Sequence, residues 1–204
     1  MAKRLPILIL LALVAALPAP AGAEDASGTA SASVALSPTP ARTPAQLRAD
    51  ELDRLFGQLH VASAEVAPAI EQKIWAVWAR NDSATAELLL AQATRAMGDE
   101  QMPAAEDILD RLIAASPDYT EAWNRRATLN FLARRYDAAL SDIDMVLDLE
   151  PRHYGALAGR GMIYEAQGRP DEALKAYREA LAVHPNMQAV KEAVKRLEKA
   201  RPDI

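Results

Sequence analysis

The sequence predicts an all-α solenoid built from repeated pairs of helices, and three observations predict it. Beyond residue 85 similar residues recur every 34 positions, apolar residues inside each unit follow helical spacing, and a proline closes each unit. Agreement of several columns at one period is typical of repeats that bury their apolar faces against one another. The columns are Pro117, Pro151 and Pro185; Ala105, Ala139 and Ala173; Leu109, Ile143 and Tyr177; Leu112, Val146 and Ala180; Leu89, Trp123 and Leu157; and the small residues Ala93, Ala127 and Gly161.

The composition fits such a fold and excludes several functions. Of the 204 residues, 50% are hydrophobic and 25% charged, as in soluble globular proteins, while only 5% are aromatic. The absence of cysteine excludes a disulfide framework, a cysteine-ligated zinc or iron–sulfur site and a thiol nucleophile. A net charge of −5 argues against binding to a phosphate backbone, so no nucleic-acid partner is expected.

The first residues predict export. Lys3 and Arg4 precede an apolar run over residues 5–17, and a small-residue cleavage site ends at Ala23. We therefore expect a signal peptide over residues 1–23, a periplasmic or secreted protein, and no membrane insertion after cleavage. The alternative is an uncleaved signal that anchors the protein in the inner membrane of a bacterium.

An additional helical hairpin is predicted before the repeats. Residues 24–42 are rich in small polar residues and proline, which predicts a disordered linker. The hairpin then spans residues 43–85, with Thr43 as the cap of its first helix and Pro44 in the first turn. Two interpretations stay open: an extra hairpin and a degenerate fourth repeat. Its inward-facing residues are Leu52, Leu55, Phe56 and Leu59 on a helix over 44–60, and Val66, Ile70, Ile74, Val77 and Trp78 on a helix over 63–80.

Trp75 and Trp78 lie three residues apart on the second helix of this hairpin. Such a pair suits either a landing surface for a partner or a buried core, and buried aromatic residues at helical spacing are the more frequent case. We expect both rings to fill the seam between the hairpin and the first repeat.

Each repeat is predicted to contain two helices, and a capping helix closes the stack. In the middle repeat Asp118 and Glu121 suit a capping box before the first helix, and Pro151 ends the second helix. The capping helix over residues 188–204 exposes a charged face, which solvates the end of the stack. The three repeats span residues 86–119, 120–153 and 154–187.

The repeats resemble the tetratricopeptide repeat (TPR) family. The resemblance rests on Ala-Trp-Asn-Arg-Arg-Ala at residues 122–127, Tyr-Asp-Ala-Ala-Leu at 136–140 and Asp-Glu-Ala-Leu at 171–174. It covers half of the chain and implies a right-handed superhelix that serves protein–protein interaction rather than catalysis. The first repeat departs most from the pattern, because its helices carry no aromatic residue.

In TPR arrays the first helices of successive repeats line a concave groove, and the resemblance carries this role to the matching positions here. The groove would have an apolar floor edged by three acids, which suits an amphipathic helix or an extended segment with basic flanks. The carboxylate-clamp subclass of TPRs grips a C-terminal acid with lysine and asparagine, but the corresponding positions hold Leu90, Thr94, Asn124 and Thr128, so that clamp is not matched. The groove residues are Glu87, Leu90, Thr94 and Met97 from the first repeat, Glu121, Asn124, Thr128, Phe131 and Leu132 from the second, and Ala158, Met162 and Glu165 from the third.

The sequence contains no catalytic or metal-binding constellation. His60, His153 and His184 are far apart and lack metal-ligand spacing. No phosphate loop, nucleophile elbow or dinucleotide fingerprint is present. We therefore expect no enzyme activity, no cofactor and no metal.

Arg126 and Arg160 occupy one column of the repeat. One interpretation is an anion-binding pair in the groove. The favoured interpretation is structural, with Arg126 in a salt bridge to Asp142 on the facing helix, because an arginine followed by a small residue is frequent in this column of TPRs. A buried pair of this kind is costly to break.

The first helix of the third repeat contains three glycines, Gly155, Gly159 and Gly161, and follows Arg152 and His153, which are not usual capping residues. Only Gly161 has a packing role in the pattern, and each interior glycine costs about 1 kcal/mol relative to alanine. We expect this helix to open more readily than its neighbours.

Together these features predict a non-catalytic adaptor or assembly factor in the bacterial periplasm that binds a protein or peptide partner in its groove. The alternative is a self-associating structural subunit of an envelope complex. Three repeats are near the minimum for a stable stack, so a second copy or the protein's own linker is a further candidate to fill the groove.

Overall fold

Residues 42–200 are the part of the chain that this computed structural model describes, and they form nine α-helices and no strand. The predicted signal peptide, nearly all of the predicted linker and residues 201–204 lie outside the described residues. Within residues 42–200 no helix has the length and apolar character that a membrane span requires. The all-α prediction is confirmed. The helices are α1 (Pro44–Val61), α2 (Ala67–Trp78), α3 (Ala84–Gly98), α4 (Met102–Ala115), α5 (Thr120–Leu132), α6 (Tyr136–Leu149), α7 (Tyr154–Ala166), α8 (Pro170–Val183) and α9 (Gln188–Lys199).

Three helix pairs form the repeat array: α3 with α4, α5 with α6, and α7 with α8, while α9 packs on α8. The first helices also contact one another, α3 with α5 and α5 with α7, which makes them the inner layer. Small residues let the two helices of a pair approach closely. A Cβ on Gly161 would lie only 2.5 Å from the ring of Tyr177, and Ala93 and Ala127 at the same column are buried.

The turn inside each pair places one residue in the left-handed conformation. Glu100, Arg134 and Gly168 lie 34 residues apart and have φ values of 58°, 57° and 72°. The next backbone N–H then bonds back to the helix, as from Arg135 to the carbonyl of Asn130 at 2.8 Å. Since only glycine takes this conformation without strain, the backbone is strained at Glu100 and Arg134 but not at Gly168.

The hairpin α1–α2 lies along one edge of the array, and α1 follows this edge from end to end. At the near end Arg48 pairs with Asp82, just before α3. At the far end the side chain of Asn186 donates to the carbonyl of Ala62 at 2.8 Å. We call this edge the turn edge. It consists of the turns at residues 116–119 and 150–153, which join successive helix pairs, and the turn at residues 184–187, which joins α8 to α9.

Helix α2 returns along the turn edge in the opposite direction. Glu71 contacts His184 at the far end, and the hydroxyl of Tyr119 donates to the carbonyl of Ala79 at the near end. The hairpin therefore packs across the turns of the array. A fourth repeat would instead stack in front of α3.

Trp75 and Trp78 belong to the core, but their expected position at a seam with the first repeat is wrong. Both rings contact His153 and Tyr154, at the start of α7. The reason is the course of the hairpin, because α2 follows the turn edge and passes the third repeat.

The position of the hairpin leaves one face of α3 exposed. Leu88 is 58% exposed, whereas Ala122 and Ala156 at the same column are buried under the preceding pair. Arg95 lies at the column of the buried Leu129. The first repeat departs from the TPR pattern because this face meets solvent instead of another repeat.

Two predicted helix caps have different outcomes. Thr43 Oγ1 accepts the backbone N–H of Gln46 at 3.2 Å, and the Gln46 side chain accepts that of Thr43 at 2.8 Å, which confirms the first cap. The capping box predicted from Asp118 and Glu121 is wrong. The N-cap of α5 is Tyr119, and no side chain of residues 42–200 accepts a hydrogen bond from the free N–H groups of this helix end. Glu121 points into the interior instead of back toward the cap.

Candidate partner-binding groove

A cleft opens between α5 and α7 on the inner layer. It brings together Asn124, Thr128, Phe131 and Met162, four of the residues predicted for the groove. Its volume of about 20 Å³ is far below the roughly 300 Å³ of small-molecule sites, so it suits one side chain of a partner rather than a cofactor. Its other lining residues are Ala127, Ile143, Gly155, Ala156, Gly159 and Ile163.

The other apolar residues predicted for the groove lie mainly in the core. Leu90 and Met97 are buried in the cluster that joins the first and second repeats, and Leu132 packs against it. Ala158 is buried in the third repeat. Thr94 is half-buried and donates its hydroxyl to the carbonyl of Leu90 at 2.8 Å. The first repeat therefore offers little free surface to a partner in the groove.

The three acids predicted at the rim of the groove have partners within the chain. Glu165 accepts from Arg196 at 2.6 Å, and Glu87 accepts the backbone N–H of Asn81 at 2.8 Å. Glu121 is only 1% exposed, so its predicted place at the groove rim is wrong. Because these carboxylates are engaged, they give no basis for a partner with basic flanks.

Glu121 is the centre of a buried polar cluster at the start of α5. Arg125 contacts it at 2.8 Å, the amide of Asn124 donates to both of its oxygens at 3.1 Å, and His153 Nε2 lies 3.4 Å away. Burial alone raises the pKa of this carboxyl, but Arg125, His153 and Asn124 outweigh burial and hold the pKa below its ordinary value. Glu121 is thus an ionised structural residue.

His153 links this cluster to the hairpin. Its Nδ1 accepts the backbone N–H of Ala156 at 3.0 Å, so α7 has a side-chain cap, and the expectation that it lacks one is wrong. Because Nδ1 accepts, the nitrogen that can donate is Nε2, which faces Glu121. The ring stacks on Trp78 with 3.9 Å between centroids, and Trp75 meets it edge-on at 5.4 Å.

His184 has a similar place at the far end of the hairpin. Its Nε2 lies 2.7 Å from Glu71, and its Nδ1 accepts the backbone N–H of Asn186 at 3.4 Å. The ring also meets Tyr154 at 5.0 Å between centroids. Among residues 42–200 no group of three or more acidic, histidine or cysteine side chains is arranged to hold a metal ion.

Gly155 receives Trp75 from the hairpin. A Cβ on residue 155 would lie 2.8 Å from Cη2 of Trp75, so the expectation that this glycine has no packing role is wrong. A Cβ on Gly159 would meet Ile143 at an ordinary 3.6 Å. Gly159 therefore keeps the floor of the cleft open without any steric need inside the chain.

The structural interpretation of Arg126 is confirmed. Arg126 binds Asp142 at 2.7 Å and reaches Asp110 at 2.8 Å, and the Asp142 side chain is 5% exposed. Arg160 binds Asp144 at 3.0 Å, but that carboxylate is 68% exposed. The two arginines share a column and differ in how deeply their partners are buried.

The array residues that hold the hairpin were not predicted from the sequence. Tyr119, His153 and Met187 directly precede α5, α7 and α9 and lie 34 residues apart. All three contact the hairpin, through a hydrogen bond, a ring stack and apolar packing respectively. The spacing was a usable signal, but the column shares no residue type, so the pattern did not assign it a role.

Comparisons with known proteins agree with this architecture. Sequence models of the tetratricopeptide repeat match residues 88–146 and 154–187. A TPR repeat-containing protein of Rhizobium etli is 42% identical over 147 residues, which are 72% of each chain. The small glutamine-rich tetratricopeptide repeat-containing protein 2 of Saccharomyces cerevisiae is 28% identical over 100 residues, which are 49% of this chain and 29% of the yeast protein.

Solved structures share the fold at lower identity. The first TPR of Spaghetti (RPAP3), bound to an HSP90 peptide, matches with a TM-score of 0.56 and 23% identity over 58% of this chain and 94% of its own. The Sgt2 TPR domain from Aspergillus fumigatus matches with a TM-score of 0.54 and 16% identity over 60% of this chain and 87% of its own. The repeat matches, the Rhizobium relative and the three helix pairs lead to one conclusion: this chain belongs to the tetratricopeptide repeat family.

Proposed function

We propose that this chain is a non-catalytic protein–protein interaction module that binds a partner segment across the cleft between α5 and α7. The observation that carries the proposal is the convergence of Phe131 and Met162 with Asn124 and Thr128 on the inner layer. A methionine and an aromatic ring adapt to varied apolar side chains, and the amide oxygen of Asn124 beside them can accept a hydrogen bond from a partner's backbone. The TPR relatives support an interaction role of this kind.

The partner segment is apolar and uncharged where it enters the cleft. None of the residues that line the cleft is charged. The HSP90 peptide is a ligand of the RPAP3 domain, and the clamp positions differ here: Leu90 is buried, and the hydroxyls of Thr94 and Thr128 donate to carbonyls of their own helices. An acidic C-terminal tail therefore finds no cation in this cleft.

We place the module in the bacterial periplasm, as an adaptor or assembly factor for an envelope complex. The support is the basic head Lys3-Arg4, the apolar run over residues 5–17 and the cleavage site at Ala23. Alkaline phosphatase fused after residue 42 tests export, because that enzyme is active only outside the cytoplasm. N-terminal sequencing of the mature protein separates a cleaved signal from an anchor.

The double variant Phe131→Asp/Met162→Asp tests the cleft. Tagged wild-type protein and a Leu88→Asp control, changed on the exposed face of α3, should recover the same partners from envelope extracts, and the double variant should lose them. Equal recovery by the double variant would refute binding in the cleft. Since Met162 is buried, the single variant Phe131→Ser and thermal unfolding guard against a folding defect.

Light scattering after size exclusion separates the adaptor from a self-associating subunit. A monomer whose mass is independent of concentration supports the adaptor. A dimer that forms with rising concentration, and that the Phe131→Ser change disrupts, supports the subunit.

A further inference from the structure

We propose that the turn edge is a second docking surface, built for an amphipathic helix with the aromatic pattern of α2. In the isolated chain the α1–α2 hairpin occupies this surface, and a partner helix with the same pattern takes its place. The surface comprises the starts of α5, α7 and α9. It shares Gly155 with the lining of the cleft, whereas Phe131 and Met162 lie outside it.

The hairpin is a separate packing unit. Its buried core, which includes Leu55, Leu59 and Ile74, is distinct from the clusters that hold the three repeats together. Tyr154 is the buried array residue that joins this core, and Val183 and Met187 pack against it. A unit with its own core and few shared residues opens without unfolding the rest of the molecule.

The array builds the receiving surface from its own residues. His153 is held by the backbone N–H of Ala156 and faces Glu121, so its ring keeps its place without the hairpin. Gly155 forms a notch beside it, since even a Cβ would collide with Trp75. The surface is therefore preformed, which lowers the entropic cost of docking a helix there.

The present contact is imperfect in two places. Trp78 Nε1 and the hydroxyl of Tyr154 are buried at this interface and have no hydrogen-bond partner among residues 42–200. A buried polar group without a partner opposes docking. A competing helix that carries a ring without a polar atom at the Trp78 position, and that places a carbonyl or carboxylate near the Tyr154 hydroxyl, would dock more favourably than α2 does.

The rim of the interface adds little. Asp53 binds Arg152 at 2.6 Å, but both side chains are more than a third exposed. Exposed ion pairs of this kind contribute weakly and are screened by salt. The rim thus does not lock the hairpin in place.

The contacts specify the partner's pattern. It is a helix with apolar residues at the positions of Ile70 and Ile74, tryptophan or another large ring at those of Trp75 and Trp78, and an acid at that of Glu71, which meets His184. The acid supplies a hydrogen-bond partner for His184 at the far end, and the rings supply most of the buried area.

The probe is a fluorescein-labelled synthetic peptide of residues 63–81 of this chain, titrated with full-length protein and followed by fluorescence anisotropy. A protein variant Trp75→Ala/Trp78→Ala loosens its own hairpin and should bind the wild-type peptide at least tenfold more tightly than the wild-type protein does. Adding Gly155→Ala should weaken that binding at least tenfold, because the notch is closed. Adding Gly159→Ala should leave it unchanged.

Binding no tighter than that of the wild type, or equal effects of Gly155→Ala and Gly159→Ala, would overturn the proposal. Hydrogen exchange on the unmodified chain gives a second test that needs no variant. Amides of α1 and α2 should exchange at least tenfold faster than those of α5 and α6, and equal protection would also overturn it. The Phe131→Ser change should not affect peptide binding, so failure here is distinct from failure of the cleft.

Discussion

Gly155 at the start of α7 faces Trp75 on α2, and a Cβ added to Gly155 would lie 2.8 Å from Cη2 of the indole. Residue 155 lines the cleft as well, so the hairpin reaches one end of the inner layer. A small residue at this point therefore decides how the two parts of the molecule fit together.

The variant Gly155→Ala tests this contact, with Gly159→Ala as its matched control. Both changes replace a glycine of α7 by alanine, but only the first inserts a methyl group against a ring. We expect the free energy of unfolding of Gly155→Ala to be about 1–3 kcal/mol below that of Gly159→Ala. Urea unfolding followed by tryptophan fluorescence measures the difference, and equal stabilities would contradict the contact.

Arg126→Ala and Arg160→Ala form a second matched pair, in one column of the repeat. Loss of Arg126 leaves the buried carboxylate of Asp142 without its cation, so we expect a loss of about 3 kcal/mol in the free energy of unfolding. Asp144 is exposed, so Arg160→Ala should cost no more than about 1 kcal/mol. If Arg126→Ala left stability unchanged and abolished partner binding, the structural role would be wrong.

Arg134→Gly and Glu100→Gly should stabilise the array. Both residues have positive φ at the column where the third repeat has Gly168, and glycine removes a left-handed strain of about 1 kcal/mol at each turn. Gly168→Ala should lower stability by a similar amount. Thermal unfolding of the three variants measures these changes, and a drop in melting temperature for Arg134→Gly would count against strain at this turn.

The repeats could be predicted because their signals recur. Each column offers several chances to recognise the same contact, so the close approach of paired helices at Gly161 was predictable from its column with Ala93 and Ala127. The pairing of Arg126 with Asp142 was predictable because the two residues lie on facing helices of one repeat. The groove was less predictable. The column pattern indicates which side of a helix faces inward, but it does not say that Glu121 is covered.

The hairpin interface could not be read from the pattern. Its contacts join residues far apart in sequence, such as Asn186 to Ala62, and no period relates the two partners. His153 was missed as a cap because an imidazole seldom takes that role. The positive φ of Arg134 was hidden because the residue is not glycine.

Glu121 makes the stability of the array depend on pH in acid. Its pKa is held below the ordinary value of 4.5: burial opposes ionisation, but Arg125, His153 and Asn124 outweigh it. A carboxyl whose pKa is lower in the folded than in the unfolded state contributes stability that is fully present above about pH 4.5 and is lost as the pH falls through the folded value.

Glu121→Gln should therefore lower the free energy of unfolding by about 2 kcal/mol at pH 7, because the charge-assisted hydrogen bonds of the carboxylate are lost. This deficit should shrink steadily below pH 4.5, because the wild-type residue becomes neutral as well. Urea unfolding of both proteins between pH 3 and pH 7 measures the difference, and a deficit that stayed constant over that range would show that the carboxylate charge contributes nothing to the fold.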